Sequence, residues 1–167
     1  MATVKTAKIT GGACAVSAII AIVLSMDTGL RINHAGLELI GNAESCRRDP
    51  YMCPARVLTV GIGSTSKVEN RRYADAEIAE MWITDIRAAE KCVNQYASGK
   101  RMTDNQLSAI TSFTFNVGCG ALQKSTLARY ANREQWPQMC GELSKWIYIG
   151  KEKSNGLANR RAKEMAL

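Results

Sequence analysis

The sequence predicts an α+β fold that is mainly helical, with a small β-hairpin lobe followed by a larger helical lobe. The first observation is the stretch from 57 to 62, which is rich in β-branched residues and follows Pro50 and Pro54. The second is the helical spacing of apolar residues between Ile78 and Tyr96. At 167 residues, 46% hydrophobic and 22% charged, the chain is long enough for one folded domain with a short appendage.

The appendage is an uncharged run of eighteen residues, Ile9–Met26, which follows Lys5 and Lys8. Its length is close to the minimum for crossing a bilayer, and the preceding lysines predict a cytoplasmic N-terminus with the rest of the chain exported. Half of the run is glycine, alanine, serine or threonine, so lipid would hold it weakly. A cleaved signal peptide and a soluble buried helix are the competing interpretations. We expect an uncleaved signal-anchor helix over residues 1–29, placed in the inner membrane by the export machinery.

The remaining residues, 30–167, predict helices around one strand-like interruption. Apolar residues at helical spacing from Ile32 to Ala43 predict a helix that delivers Glu44 at its C-terminal end. The small hairpin lobe is expected over about 44–70 and the helical lobe over about 71–167, with a cleft between them as the default site. In the helical lobe we expect the long helix over 78–96, a helix starting with the capping box of Thr103 and Gln106, and shorter helices from Ser125, between Pro137 and Tyr148, and after Gly156.

The formal net charge of +7 favours contact with polyanions, which include nucleic acid, anionic lipid and the acidic polymers of a bacterial envelope. No zinc-type cysteine spacing, basic heptad or aromatic RNA-binding signature accompanies this charge, so we expect no nucleic-acid partner. We also expect no metal, no cofactor and a monomeric protein.

The most specific pattern in the chain is Glu44, eight residues, Cys53, five residues and Thr59, followed by a glycine-rich turn. This pattern resembles the signature of the phage lysozymes, glycoside hydrolase family 24, in which an aspartate stands at the position of Cys53. Further segments resemble the helical lobe of that family: Phe115-Asn116-Val117-Gly118, Ser125-Thr126-Leu127, Gly156-Leu157 and Arg160-Arg161. With its apolar N-terminus and this cysteine, the chain resembles the signal-anchor-release endolysins of the phage P1 type. Ser45 and Ser64 depart from the family pattern, which has a glycine and a histidine there.

The resemblance implies a lysozyme-like fold and a muramidase that hydrolyses the β-1,4 bonds between N-acetylmuramic acid and N-acetylglucosamine of peptidoglycan, for host cell lysis. Cleavage of a glycosidic bond needs one group that protonates the leaving oxygen and a second group that acts across the sugar ring. Glu44 suits the first role. Cys53 suits the second, as a thiolate or as a polar thiol that orients water, and the Thr59 hydroxyl would hold that water.

Alternatives stay open for both the residues and the reaction. The resemblance implies an inverting reaction, but a Cys53 thiolate could also attack the sugar directly, and Asp49 could be a second carboxylate. Arg160 or Arg161 could pair with Glu44 across the cleft. The rival functions are a lytic transglycosylase and a tethered peptidoglycan-binding protein that has lost catalysis.

Six cysteines in an exported domain predict disulfides, and spacing alone does not choose among the fifteen possible pairings. The resemblance implies a regulatory disulfide exchange. A Cys46–Cys53 disulfide first blocks the Cys53 thiol; Cys14 then forms a disulfide with Cys46 and frees Cys53 in the periplasm. The alternative is a permanent Cys46–Cys53 brace, with Cys14 as a small packing residue. One pair and one free thiol are expected among the other three cysteines, Cys92, Cys119 and Cys140.

Overall fold

The computed structural model describes residues 12–167, so Lys5, Lys8 and the first three residues of the apolar run lie outside the described part. The helices are α1 (Val16–Ser25), α2 (His34–Glu44), α3 (Asp75–Tyr96), α4 (Asp104–Val117), α5 (Cys119–Lys124), α6 (Thr126–Asn132), α7 (Trp136–Glu142) and α8 (Asn155–Ala166). The strands are β1 (Arg47–Met52), β2 (Leu58–Gly61), β3 (Tyr148–Ile149) and β4 (Glu152–Lys153). The mainly helical α+β fold class is confirmed.

Helix α1, the described end of the apolar run, packs against α2 and α3. Its side chains Ile19, Ile20 and Val23 are buried in the same apolar cluster as residues of α2 and α3. Burial of an aliphatic side chain of this size contributes about 1.5–3 kcal/mol, so α1 is an integral part of this core. No helix within residues 12–167 combines the length and apolar character needed to cross a bilayer.

The predicted hairpin is present: β1 and β2 pair in antiparallel register, with Tyr51 opposite Thr59. The pairing shifts between Arg47 and Tyr51, the part of β1 that contains Pro50, which cannot donate a ladder hydrogen bond. At the end of β2, Gly61 has a φ of +63°. A side chain there would also approach Ile78 of α3 to 2.7 Å, so the close contact between hairpin and helix needs this glycine.

The helical lobe follows the sequence pattern in its long helices. The 22-residue α3 buries the apolar face expected from its periodicity, and α4 begins with the predicted capping box of Thr103 and Gln106. A disulfide joins Cys92 of α3 to Cys119 at the start of α5, while Cys140 is a free cysteine. One pair and one free thiol are therefore present among these three residues, as predicted.

The segment near Tyr148 differs from the expected helix. Helix α7 ends at Glu142, a 3-10 turn covers Leu143–Lys145, and β3 then pairs with β4 in a short hairpin. Gly150 sits in the turn with a φ of +61°, a conformation that a helix does not contain. The first part of the predicted helix between Pro137 and Tyr148 is present as α7, and the prediction was wrong only for its last residues, which lead into the hairpin that turns at Gly150.

Candidate active site

Glu44 is the last residue of α2, a helix that the Asn33 side chain caps by accepting a hydrogen bond from the backbone N–H of Gly36 at 3.0 Å. The following residue, Ser45, has a φ of +60°, in the region that favours glycine. The phage lysozyme pattern that the sequence resembles has a glycine at this position, and the backbone conformation explains that preference. Serine therefore adopts a strained conformation directly beside the glutamate.

Arg160 holds the Glu44 carboxylate. Its Nη1 donates to Glu44 Oε1 at 2.7 Å, and its side chain is only 7% exposed. The same guanidinium donates to the Ser112 carbonyl at 3.1 Å and to Glu164 Oε1 at 3.3 Å. Because three partners surround it, Arg160 has a fixed position, and its contact orients the Glu44 carboxylate.

Arg161 lies behind this contact and binds other groups. It pairs with Glu164 and Asn116, donates to the Trp146 carbonyl at 3.1 Å, and lies 4.9 Å from the centre of the Phe113 ring. Of the two candidate arginines, the structure therefore places Arg160 on Glu44.

Glu164 contacts both arginines, and the sequence pattern does not mark it as a site residue. Its carboxylate is buried, contacts both guanidinium groups and accepts a hydrogen bond from the Ser112 hydroxyl at 2.8 Å. The available signal was its spacing of three and four residues from Arg161 and Arg160 on one helix. This buried network ties α8 to α4 and supports the arginine on Glu44.

Cys53 is a half-buried free thiol in the loop between β1 and β2. Its pKa is lowered, chiefly by the backbone N–H of Val57 and next by the Thr59 side chain, because both can donate to the thiolate. Thr59 is 3% exposed, and its one hydroxyl proton can go either to the Val57 carbonyl, 3.0 Å away, or to the Cys53 thiolate. The hairpin thus brings Cys53 and Thr59 together at a site that favours the ionised thiol.

The glycine-rich turn after β2 lies against Glu44. A side-chain carbon at Gly63, whose φ is +81°, would lie 3.6 Å from Glu44 Oε2 and 3.8 Å from the Phe115 ring. The adjacent Ser64 donates to Asp85 Oδ2 at 2.5 Å, and burial raises the pKa of that carboxyl. The turn therefore connects the hairpin, the Glu44 carboxylate and the helical lobe at one place.

A surface cavity of about 780 Å³ opens beside Glu44 and Arg160. Its walls come from one face of α2, from α8, from Asn116 and from Ile149 in the β3–β4 hairpin, but not from Cys53 or Thr59. Within residues 12–167, no group of three or more His, Cys, Asp or Glu side chains could hold a metal ion.

Asp49, the alternative second carboxylate, lies on β1. It pairs with Arg72 at 3.5 Å. A side-chain carbon at Gly12 would lie 3.1 Å from its Oδ2, so this carboxylate faces the N-terminal segment.

The structure pairs Cys14 with Cys46, with their Cα atoms 5.1 Å apart, while Cys53 stays free. The backbone N–H of Cys14 also donates to the Cys46 carbonyl at 3.2 Å. The disulfide therefore joins the segment before α1 to the chain between Glu44 and β1.

The comparisons with known proteins point in one direction. The family model for phage lysozyme matches residues 41–164. A SAR-endolysin of Escherichia phage P1 is 43% identical over 175 residues, which cover 98% of this chain and 94% of that protein. The crystal structure of the active form of the P1 phage endolysin Lyz gives a TM-score of 0.87 at 42% identity, over 93% of this chain and 94% of that one.

The secreted inactive form of the same P1 endolysin is less similar. Its TM-score is 0.56 at 42% identity, over 80% of this chain and 92% of that one. Since the sequence identity is the same in both comparisons, the difference lies in the arrangement of the chain, which here is closer to the active form.

Proposed function

This chain belongs to the phage lysozyme family, and from that premise we propose that it hydrolyses the β-1,4 bonds between N-acetylmuramic acid and N-acetylglucosamine in peptidoglycan. It is a glycoside hydrolase of the endolysin kind. The observation that carries the proposal is the free Cys53 thiol beside Thr59, in a chain whose Glu44 is held by a buried arginine.

Glu44 is the general acid in this proposal. It protonates the glycosidic oxygen as the bond to the leaving sugar breaks, and its side chain is 28% exposed, so substrate can reach it. Arg160 keeps the carboxyl at one place and orients the oxygen that carries the proton.

Cys53 takes the second role. Its lowered pKa increases the fraction of thiolate near neutral pH, and the thiolate accepts a hydrogen bond from a water that attacks the anomeric carbon. The Thr59 hydroxyl holds the same water from the β2 side. Water attacks opposite to the leaving group in this arrangement, so the product has inverted configuration.

The Cys14–Cys46 pairing and the free Cys53 support regulation of this site by disulfide exchange. In the inactive form, a disulfide joins Cys46 to Cys53, so the Cys53 thiol is not available as the second catalytic group. A Cys14 thiolate then attacks the Cys46 sulfur, a new Cys14–Cys46 bond forms, and Cys53 leaves as the thiolate. One disulfide replaces another, so the step needs no oxidant or reductant.

Residues 9–26 connect the disulfide exchange to the position of the protein at the host inner membrane. We propose that the export machinery places this segment in the host inner membrane with the N-terminus in the cytoplasm, and that its release delivers the enzyme to the periplasm. The packed position of α1 supports such a released state, because a helix in the core is not available to lipid. The same position brings Cys14 next to Cys46.

The test uses the full chain in the Cys14–Cys46 form with purified peptidoglycan, followed by mass analysis of the released fragments. We expect reducing sugar ends. Anhydro sugar ends would show a lytic transglycosylase, and the absence of release would show a binding protein without catalysis, so either result overturns the hydrolysis proposal.

Matched variants test which side chains act as the two catalytic groups. Glu44→Gln and Cys53→Ser should each abolish release, whereas Asp49→Asn should retain it. Loss of activity in Asp49→Asn with full activity in Cys53→Ser would instead assign the second role to Asp49. A retained anomeric configuration in the first product would contradict attack by water.

A further inference from the structure

The segment before α1 lies against β1 as a short additional strand. Ala13 forms an antiparallel bridge with Arg47. The N–H of Cys14 donates to the Cys46 carbonyl at 3.2 Å, and the N–H of Arg48 donates to the Gly12 carbonyl at 2.7 Å. These two hydrogen bonds on either side of the bridge are the pattern of an antiparallel ladder, so the register between Cys14 and Cys46 is defined by the backbone.

The Arg48 side chain adds a third contact to this segment. Its Nη1 donates to the Ala13 carbonyl at 2.7 Å, while its Nε and Nη2 bind the two oxygens of Asp75 at 2.8 and 3.0 Å. Asp75 is the first residue of α3, where the helix dipole favours a negative charge, and Arg48 lowers the pKa of its carboxyl. A bidentate pair on the end of a long helix holds the guanidinium in place before the N-terminal segment arrives.

We propose that Arg48, fixed by Asp75, is a positioning residue that docks residues 12–14 on the edge of β1 and thereby directs Cys14 to the sulfur of Cys46. The inference rests on the disulfide exchange put forward above and goes beyond it, because it assigns the residues that select the new pair. Arg48 touches no sulfur and no substrate and acts only through the backbone of the segment that carries Cys14.

The direction of attack decides whether the exchange activates the enzyme. Attack of the Cys14 thiolate on Cys46 breaks the Cys46–Cys53 bond and releases Cys53 as the thiolate. Attack on Cys53 instead would form Cys14–Cys53, release Cys46 and leave the proposed catalytic thiol blocked. Both routes conserve atoms and electrons, so docking geometry must choose between them. The ladder pairs Cys14 with Cys46, and the Arg48 contact to Ala13 stabilises that register.

The experiment measures the distribution of disulfide isomers in the full chain. Purified protein is equilibrated in mixtures of reduced and oxidised glutathione and quenched with acid. Free thiols are alkylated, and the linked peptides are identified by mass. In the unchanged protein we expect Cys14–Cys46 to dominate over Cys46–Cys53 and Cys14–Cys53.

Arg48→Met should lower the ratio of Cys14–Cys46 to the other two isomers by about tenfold, since it removes a charge-assisted hydrogen bond that only this isomer makes. Arg48→Lys keeps the charge with fewer donors and should have an intermediate effect. Arg47→Met is the matched control: it removes the same charge from the neighbouring residue, whose guanidinium lies over the Tyr51 ring at 4.7 Å, and should leave the ratio unchanged.

Two results overturn the proposal in distinguishable ways. If the unchanged protein forms two or more isomers but Arg48→Met leaves their ratio intact, the docking role fails and the exchange stands. If the Cys14→Ser protein, in which no Cys14 thiol competes, forms no Cys46–Cys53 bond in any glutathione mixture, the exchange itself fails, and the docking role with it. If Arg48 had a purely structural role, Arg48→Met would lower the melting temperature of the Cys14→Ser protein. It would leave the isomer ratio of the protein that retains Cys14 unchanged, because all isomers would lose the same stability.

Discussion

The substitution Gly41→Ala tests whether α1 packs on α2 in solution as it does in the structure. A side-chain carbon at Gly41 would lie 2.4 Å from Cγ1 of Val16 in α1, whereas its distance to Trp82 would be an ordinary 3.6 Å. Val16 is β-branched and has one strongly preferred rotamer in a helix, so α1 itself must shift. Overpacking of this kind costs about 1–3 kcal/mol.

The same substitution has an opposite effect on α2 alone. Gly41 lies inside this helix, and alanine in place of an interior glycine stabilises a helix by about 0.8–1 kcal/mol. With Val16 present, Gly41→Ala should therefore change the free energy of unfolding by between about zero and 2 kcal/mol in the destabilising direction. With Val16→Ala, which removes the opposing methyl group, it should stabilise by about 1 kcal/mol.

The assay is urea unfolding of four full-length proteins: the parent, each single variant and the double variant. All four carry Cys14→Ser, so that no disulfide holds α1 in place. The coupling energy of the cycle should equal the clash, about 1–3 kcal/mol. If Gly41→Ala stabilises the protein equally in both backgrounds, α1 does not occupy this face of α2 in solution and the reasoning is refuted.

Three further predictions concern Cys53, the Cys92–Cys119 disulfide and the ion pairs of Arg160. Cys53→Asp should be active without Cys14, and its activity should persist to lower pH than that of the parent, because a carboxylate ionises near pH 4 and even a thiol with a lowered pKa ionises at higher pH. The rate of peptidoglycan release measured against pH tests this; if both proteins lose activity at the same acidic pH, the thiolate role of Cys53 is contradicted. Removal of the Cys92–Cys119 disulfide by paired alanines should lower the free energy of unfolding by about 3–4 kcal/mol, as expected for a loop closed over a sequence separation of 27, and calorimetry with unchanged activity per folded molecule is the check. Arg160→Ala should destabilise the domain by up to about 3–5 kcal/mol and reduce activity, because it removes the cation that pairs with Glu44 and one of the two cations on the buried Glu164 carboxylate. A stable, fully active variant would show that the contact is dispensable.

Sequence patterns predicted the elements whose signals are local. The periodic apolar residues of α3, the capping box of α4 and the β-branched stretch of β2 all report contacts within one helix or between one element and the core. The β3–β4 hairpin was missed because each strand has only two residues, too few for an alternating pattern, and only Gly150 marked the turn.

The candidate site was predictable in part. Its residue types and spacing singled out Glu44, Cys53 and Thr59 as candidates through a resemblance, and the position of Glu44 at a helix end followed from periodicity. The role of Glu164 was hidden, since a glutamate in an amphipathic helix is usually a solvated charge. Only its burial against two arginines, together with the hydroxyl of Ser112, distinguishes it.

The sequence by itself determined the mainly helical fold class, the family, and the presence of an apolar segment with a cysteine upstream of the glutamate. Tertiary structure decided which partners meet: Arg160, and not Arg161, reaches Glu44 across 116 positions, and Cys14 pairs with Cys46 across 32, a pair that the sequence offered only through a resemblance. The physical reason is that propensity and periodicity act over a few residues, whereas disulfides and buried ion pairs depend on positions set by packing. Six cysteines leave every pairing possible until α1 is in the core and its leading segment lies along β1.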